Sequence, residues 1–429
     1  MTPAARTQAA IDILAALDGT QQPVDRYLKD FFRARRYAGA KDRRAVGEMV
    51  FTVMRHRASL AHRMGTQSPR ALVIAALLKA GEDPAALFTG GYGPEPLTDA
   101  ERAAIAVPPP PAPPHVTGEY PLWLEASLRR AFGDGLAAEM AALQTRAPVD
   151  LRVNTLKAAR PDVLAGLKAE GFAAQPTPYS PVGIRIPPEH RAGAERRGPC
   201  DQRKAEGSAA LARSPLFLSG AFEFQDEAAQ IASLLAGAGP GMRVLDLAAG
   251  AGGKALAMAA AMNNDGHILA FDDNPKRLAP LRGRAARAGA TCITLAGKRG
   301  GPLWGDGRFD LVFLDAPCSG TGTWRRQPEL RWRLTPERLA ELTRLQDWLL
   351  DDAARHTGPG GRLVYATCSL LPEENEDRVA AFLARNPAFA RRAAAARWDA
   401  PIPGLSVDFR ASPARTGTDG FFTAILERT

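Results

Sequence analysis

Apolar residues in the first 106 positions recur at intervals of three and four. Ile11, Leu14 and Leu17 form one run, Val24, Leu28 and Phe31 a second, and Val46, Met49, Val50 and Val53 a third. That spacing puts each set on one face of an α-helix. Ser68-Pro69 reads as an N-cap followed by a first-turn proline, opening the apolar run ALVIAALLKAG at 71–81. No two-residue alternation interrupts the stretch. Residues 1–106 are expected to form a small all-α bundle. The run VPPPPAPP at 107–114 ends it, because proline cannot continue a helix and a series of prolines makes a stiff spacer. A linker is expected over 107–118.

The pattern then changes twice. Over 119–218, the amphipathic segment PLWLEASLRRAFG is followed by LRVNTLK (151–157) as a strand, PDVLAGLKAEGF as a helix and GIRIP as a strand. This predicts a small α+β module. Residues 187–213, rich in Arg, Gly, Ala and Glu, read as a mobile insertion in it, with Cys200 an exposed thiol. From 219 to 429, short apolar strands alternate with helical stretches: MRVLDLA, HILAFD, TCITLA, FDLVFLDA and RLVYATCS. Strand–helix alternation predicts an α/β domain, a parallel sheet covered on both faces. Ligands of such sheets sit beyond the carboxyl ends of the strands.

Composition narrows the function. The 429 residues are 45% apolar, enough for several domains that need no staples. Lys and Arg number 55 against 46 Asp and Glu, a net charge of +9, which favours a polyanionic partner. Basic clusters lie at 33–36, 41–44, 55–57 and 325–333. The four cysteines are far apart, with no C-x-x-C pair, which argues against a zinc ribbon, an iron–sulfur cluster or a disulfide scaffold; no metal is expected. Neither a signal peptide nor a membrane-length apolar run is present in the sequence. A cytoplasmic monomer is the expectation.

The candidate chemistry lies at the strand ends. The first strand of the α/β domain runs into DLAAGAGGK (246–254), where Gly250, Gly252 and Gly253 allow a sharp turn and close approach of a ligand to the next helix's N-terminus. The second strand ends in HILAFDD, placing Asp272 to bind ribose hydroxyls. These two features also fit nicotinamide or flavin cofactors. The fourth strand narrows the choice. FDLVFLDAPCSGTG (309–322) ends in Asp315, a proline and Cys318, and the fifth strand ends at ATCSLLPEENE (366–376) with Cys368. Two cysteines at neighbouring strand tips, beside an acid and a glycine turn, point to chemistry. Cys292, alone in an apolar strand, reads as core packing.

These motifs resemble the RsmB/Sun family of S-adenosylmethionine-dependent RNA cytosine-5 methyltransferases. DAPCSGTG, RRQPELRWR (325–333) and ATCSLLPEENE carry the resemblance most specifically, and FQDEAAQ (224–230) and TDGFF (418–422) also fit. The start, including KDRRAVGEMVFTVMRHR (41–57), is similar to the NusB-like RNA-binding domain of the family's ribosomal RNA members. The resemblance implies a class I methyltransferase (Rossmann-like) fold with a seven-stranded mixed sheet over 219–429. It implies S-adenosylmethionine held by Asp246, Ala248, Ala249, Gly250, Ala251, Gly252, Gly253, Lys254, Asp272, Arg277 and Asp315. Two positions depart from the family pattern. Ala251 stands where proline is usual, and Gly297 stands where an acid near the adenine is frequent, leaving adenine recognition to shape and backbone.

The mechanism implied by the resemblance starts from a cysteine thiolate. Carbon 5 of cytosine is a poor nucleophile until a thiolate adds at carbon 6 and makes it enamine-like. Cys368 is then the nucleophile, Cys318 aids release, Asp315 binds the pyrimidine edge, and Lys254 lies near substrate or cofactor. The target base must be flipped from its stack, and Arg325, Arg326, Arg331, Trp332 and Arg333 are expected to hold RNA by phosphate contact and stacking. Small-subunit ribosomal RNA is the expected partner. A DNA cytosine-5 methyltransferase would use the Pro-Cys cysteine as nucleophile; the second cysteine and the helical start favour RNA. An RNA-binding or ribosome-assembly factor with a vestigial catalytic domain is the non-enzymatic alternative.

Overall fold

The computed structural model describes residues 1–188, 207–304 and 308–429. The chain divides into two compact units: Met1–Thr145 with Thr323–Leu334, and Arg146–Gly322 with Thr335–Thr429.

The first unit is helical. Its leading helices are Pro3–Leu17, Val24–Arg33, Ala40–Arg55, Arg57–Met64 and Pro69–Lys79. The apolar stripes turn inward as their spacing dictates: Ile13, Leu14, Leu17, Val24, Leu28, Val46, Val50 and Val53 are buried together. The Ser68 hydroxyl accepts the Ala71 amide at 3.3 Å and Pro69 opens the helix, as expected. The proline run is not a division between units. Arg63 donates to the carbonyl oxygens of Ala104, Ile105 and Val107, and a ring nitrogen of His62 lies 2.9 Å from that of Pro110. Prolines carry no amide hydrogen but keep their carbonyl acceptors, and the Pro110 carbonyl, with the carbonyls just before the run, fastens it down. Helix Glu125–Phe132, expected to open the α+β module, and helix Leu136–Leu143 also belong to this unit, so its first segment ends at Thr145.

The second unit opens with an antiparallel sheet, β1 (Val149–Val153), β2 (Gln175–Pro176), β3 (Gly183–Ile186) and β4 (Phe222–Phe224), in the order β2-β3-β1-β4. Helix Arg160–Ala169 supplies Val163 and Leu167 to a core with Leu151, Val153, Ile184 and Phe222. β4 lies beyond the expected module boundary at 218, yet pairs with β1 through Leu151–Phe224 and Val153–Phe222. Of the expected insertion at 187–213, residues 189–206, with Cys200, lie outside the described residues. Its end is no free loop, since Leu211 is buried in the module core.

The main sheet comprises β5 (Arg243–Asp246), β6 (His267–Ala270), β7 (Ile293–Leu295), β8 (Phe309–Asp315), β9 (Thr357–Thr367), β10 (Phe389–Arg392), β11 (Phe409–Ala411) and β12 (Phe421–Arg428). The order is β10-β12-β9-β8-β5-β6-β7, with β11 pairing β12. β5 to β9 run parallel to one another; β12 runs antiparallel to β9. This is the mixed-sheet class I methyltransferase architecture. Alternate strand residues serve two cores: Val244, Leu311, Phe313 and Val364 on one face, Leu245, Val312, Leu314 and Leu363 on the other. Chain order reverses at β5, which lies between β6 and β8, and a crevice opens above such a point.

Candidate active site

The crevice is built from the ends of β5, β6, β8 and β9. Beyond β5 the chain leaves the sheet through two crossed bonds: the Leu247 amide reaches the Phe313 carbonyl at 2.9 Å and the Ala249 amide reaches Phe271 at 2.8 Å. Gly250 and Gly252 then take left-handed φ values of 52° and 80°. Helix Gly253–Ala261 follows. The Gly250 amide donates to Asp272 Oδ2 at 2.9 Å, and Asp272 Oδ1 accepts the Asn274 amide at 2.9 Å. Asp272 therefore braces the glycine turn while each oxygen keeps a lone pair for a ligand. Arg277 stands 3.9 Å from it, largely exposed.

Asp246 is fully buried, and neither carboxylate oxygen has a hydrogen-bond partner. Burial, with the negative charge of Asp315 adding to it, raises its pKa to about 7. An orphaned buried carboxylate needs a cation. Lys254 Nζ bonds Asp315 Oδ2 at 2.5 Å and lies 5.4 Å from the centre of the Phe421 ring. Burial pulls the Lys254 ammonium down, but Asp315, Asp246 and Cys368 more than offset this and raise it. Phe421 was not singled out from sequence; its only signal was a place inside TDGFF.

The two sulfurs converge. Cys318 Sγ and Cys368 Sγ are 3.3 Å apart and both cysteines are free; the separation is a hydrogen-bond contact, too long for a disulfide. The bond to Cys368, burial, and the nearby negative charge push the Cys318 thiol well above its ordinary value. Cys318 thus favours its protonated form, and its sulfur lies within hydrogen-bond reach of Cys368. The loops are locked together: the Gly322 amide reaches the Cys368 carbonyl at 2.9 Å, the Leu370 amide the Thr321 hydroxyl at 2.8 Å, and the Gly420 amide the Gly322 carbonyl at 2.8 Å. Cys292 is buried in the core, as its lone position predicts.

The expected RNA-binding segment goes elsewhere. Arg325, Arg326, Arg331, Trp332 and Arg333 belong to the helical unit. Arg331 is fully buried over the Trp324 ring, and donates to the carbonyl oxygens of Glu119 at 3.0 Å and Leu143 at 3.4 Å. Trp332 Nε1 donates to the Met54 carbonyl at 2.8 Å, and Arg333 Nη2 to Gln22 at 3.1 Å. Arg325 is buried too. A guanidinium buried and committed to internal acceptors does not hold a phosphate, which removes Arg331 from the expected RNA face. Gly297 leaves open space: a Cβ there would meet nothing within 4 Å. Among the described residues, no group of three or more His, Cys, Asp or Glu is placed to hold a metal ion, and no helix is long and apolar enough to cross a membrane.

A family profile described as 16S rRNA methyltransferase RsmB/F matches residues 234–427, and one described as the ferredoxin-like domain of RsmF/B-like methyltransferases matches residues 120–190. A protein named ribosomal RNA small subunit methyltransferase B from Pseudomonas syringae is 35% identical over 317 residues, covering 73% of this chain and 66% of that protein. Its namesake from Sodalis glossinidius is 34% identical over 333 residues, covering 76% and 67%. The chain thus spans about two thirds of the length of these relatives. A crystal structure described as PH0851 superposes with a TM-score of 0.74 at 26% identity, covering 100% of this chain and 99% of that one.

Proposed function

The chain belongs to the RsmB/F family of ribosomal RNA methyltransferases, and from that premise we propose that it methylates carbon 5 of a cytosine in small-subunit ribosomal RNA. The observation that carries the chemistry is the 3.3 Å approach of Cys318 and Cys368, beside the Lys254–Asp315 pair and the glycine turn.

S-adenosylmethionine, the family's cofactor, supplies an electrophilic methyl group on a sulfonium when bound. The residues present fit it. Asp246 offers a buried carboxylate, with Lys254 as a nearby positive charge, to a cation; Asp272 keeps acceptor capacity for ribose hydroxyls, and the turn 248–252 lets a ligand lie against backbone. Gly297 offers no side chain to the adenine.

In the proposed reaction Cys368 is the nucleophile. The Cys318 S–H, 3.3 Å away, is placed to donate to its sulfur, and Lys254 places a positive charge nearby; both would favour the thiolate. The Cys368 sulfur forms a bond to carbon 6 of the flipped cytosine, and the electron pair released makes carbon 5 nucleophilic. Asp315, oriented by Lys254, accepts from the pyrimidine edge. After carbon 5 has gained its methyl group, a base removes the carbon-5 proton. The bond to Cys368 then breaks and the thiolate leaves, with Cys318 donating to the departing sulfur.

Cys368→Ala is expected to abolish methyl transfer to RNA while calorimetry shows cofactor binding retained; turnover by that variant would falsify the assignment. Cys318→Ala is expected to accumulate a covalent protein–RNA adduct on denaturing gels, and free protein alone would remove its release role. Methyl transfer to a matched DNA as fast as to RNA would reject the RNA preference. A wild-type chain giving no heat with millimolar cofactor would favour the vestigial-domain reading.

A further inference from the structure

Glu374 sits in the ATCSLLPEENE stretch, and the mechanism above gives it no part. Its carboxylate is fully buried. Oε1 accepts the Ser319 amide at 2.8 Å and Gln346 Nε2 at 3.0 Å. Oε2 accepts the Ser369 hydroxyl at 2.5 Å and also the Ser319 hydroxyl. Ser319 follows Cys318 in the chain, and Ser369 follows Cys368. One carboxylate therefore bonds the residue after each cysteine. Its own position is fixed in turn. Gln346 Nε2 also donates to the carbonyl of Pro317, before Cys318, at 2.9 Å, and the Tyr365 hydroxyl donates to the Glu374 carbonyl at 2.7 Å.

Burying an anion is costly, and apolar side chains of similar volume often serve stability as well or better. Four donors offset that cost: two from Ser319 and one from Ser369, which belong to the two cysteine loops, and one from Gln346 on helix Pro336–His356. Neither loop can shift without breaking a bond to the same carboxylate. An amide in its place keeps one acceptor oxygen but carries no charge, and its nitrogen only donates, so both serine hydroxyls would have to turn round and accept for the bonds to persist.

We propose that Glu374 is a positioning residue for the reaction: its carboxylate clamps the two cysteine loops and sets the separation of their sulfurs. The clamp also contributes charge, since the Glu374 carboxylate is one of the groups that hold the proton on Cys318. The inference rests on the two-cysteine reading, but its test needs no methyl transfer.

The test compares the full wild-type chain with Glu374→Gln. Diamide takes one hydrogen from each of two thiols and becomes a hydrazine, leaving a disulfide. The Cys318–Cys368 cross-link, located by peptide mass mapping, is expected to form about tenfold more slowly in the variant, because the sulfurs are no longer held in register. The pH at which iodoacetamide alkylates Cys318 is expected to fall, because a nearby negative charge has gone. Cofactor affinity by calorimetry is expected to stay within about twofold, since the glycine turn is untouched. A folded variant whose cross-linking rate and Cys318 pH profile match wild type overturns the proposal. Should Glu374→Gln fail to fold, the Ser319→Ala, Ser369→Ala pair removes the two hydroxyl donors and keeps the carboxylate. Slower cross-linking there supports the clamp, and an unchanged rate overturns it. Slow cross-linking in Glu374→Gln alongside a wild-type chain that methylates no cytosine would reject the proposed function and leave the clamp standing.

Discussion

Asp246 shows how one residue ties stability to ligand binding. Its pKa is raised from 3.8 to about 7, by burial first and by Asp315 second, so folding favours its protonated form. The associated stability is present in full below the unfolded pKa and is lost as pH rises through about 7. A cationic ligand favours the charged form and reverses this. Cofactor affinity is therefore expected to rise about tenfold between pH 6 and pH 8, with proton release on binding below pH 7. Calorimetry at the two pH values, in buffers of different ionisation enthalpy, measures both; a flat profile would mean that Asp246 is not the cation's partner. The family resemblance pointed to Asp246 as a cofactor residue, but not to its full burial, because burial depends on segments distant in the chain.

At the scale of the element, the turn between β5 and helix Gly253–Ala261 has unequal glycines. Gly252 has φ 80°, and a Cβ there would lie 2.1 Å from Leu281 Cδ1. Leu281 is fully buried and cannot retreat. Gly252→Ala is expected to cost about 2–4 kcal/mol in denaturant unfolding, from backbone strain and overpacking together. At Gly253 the nearest atom to a Cβ is Gln225 Nε2 at 3.8 Å, so Gly253→Ala is expected to change stability by less than about 0.5 kcal/mol. Equal costs at the two sites would refute the packing argument. From sequence all three glycines of DLAAGAGGK looked alike. The strand endings that carry Asp315, Cys318 and Cys368 were legible, because a parallel strand buried on both faces is a short apolar run that stops abruptly at its functional end. The interior role of Arg331 in the segment 325–333 was hidden for the opposite reason. Nine residues dense in arginine look solvated, and nothing local reveals that carbonyl oxygens near residues 22, 54, 119 and 143 await them.

Over the whole molecule, two compact units need not unfold together. Arg331 donates to carbonyl oxygens contributed by Glu119 and Leu143 within the helical unit, and Glu119 itself takes a left-handed φ of 57°. Arg331→Ala would leave those acceptors buried and unpaired. It is expected to destabilise the helical unit's transition by about 3 kcal/mol in a thermal or denaturant scan. Loss of RNA affinity with a shallower salt dependence, and no change in stability, would instead restore Arg331 to the RNA-binding face. The limits of sequence reading follow from the same contacts. Hydrophobic periodicity and turn residues, which act over a few neighbours, determined the helices of the first unit, the α/β alternation and the residues at its strand ends. Only the tertiary fold decided where the units divide, which arginines are interior, that two sulfurs 50 residues apart lie 3.3 Å from each other, and that one carboxylate braces both. Those outcomes depend on the distance in space between segments far apart along the chain, a quantity that spacing in sequence does not encode.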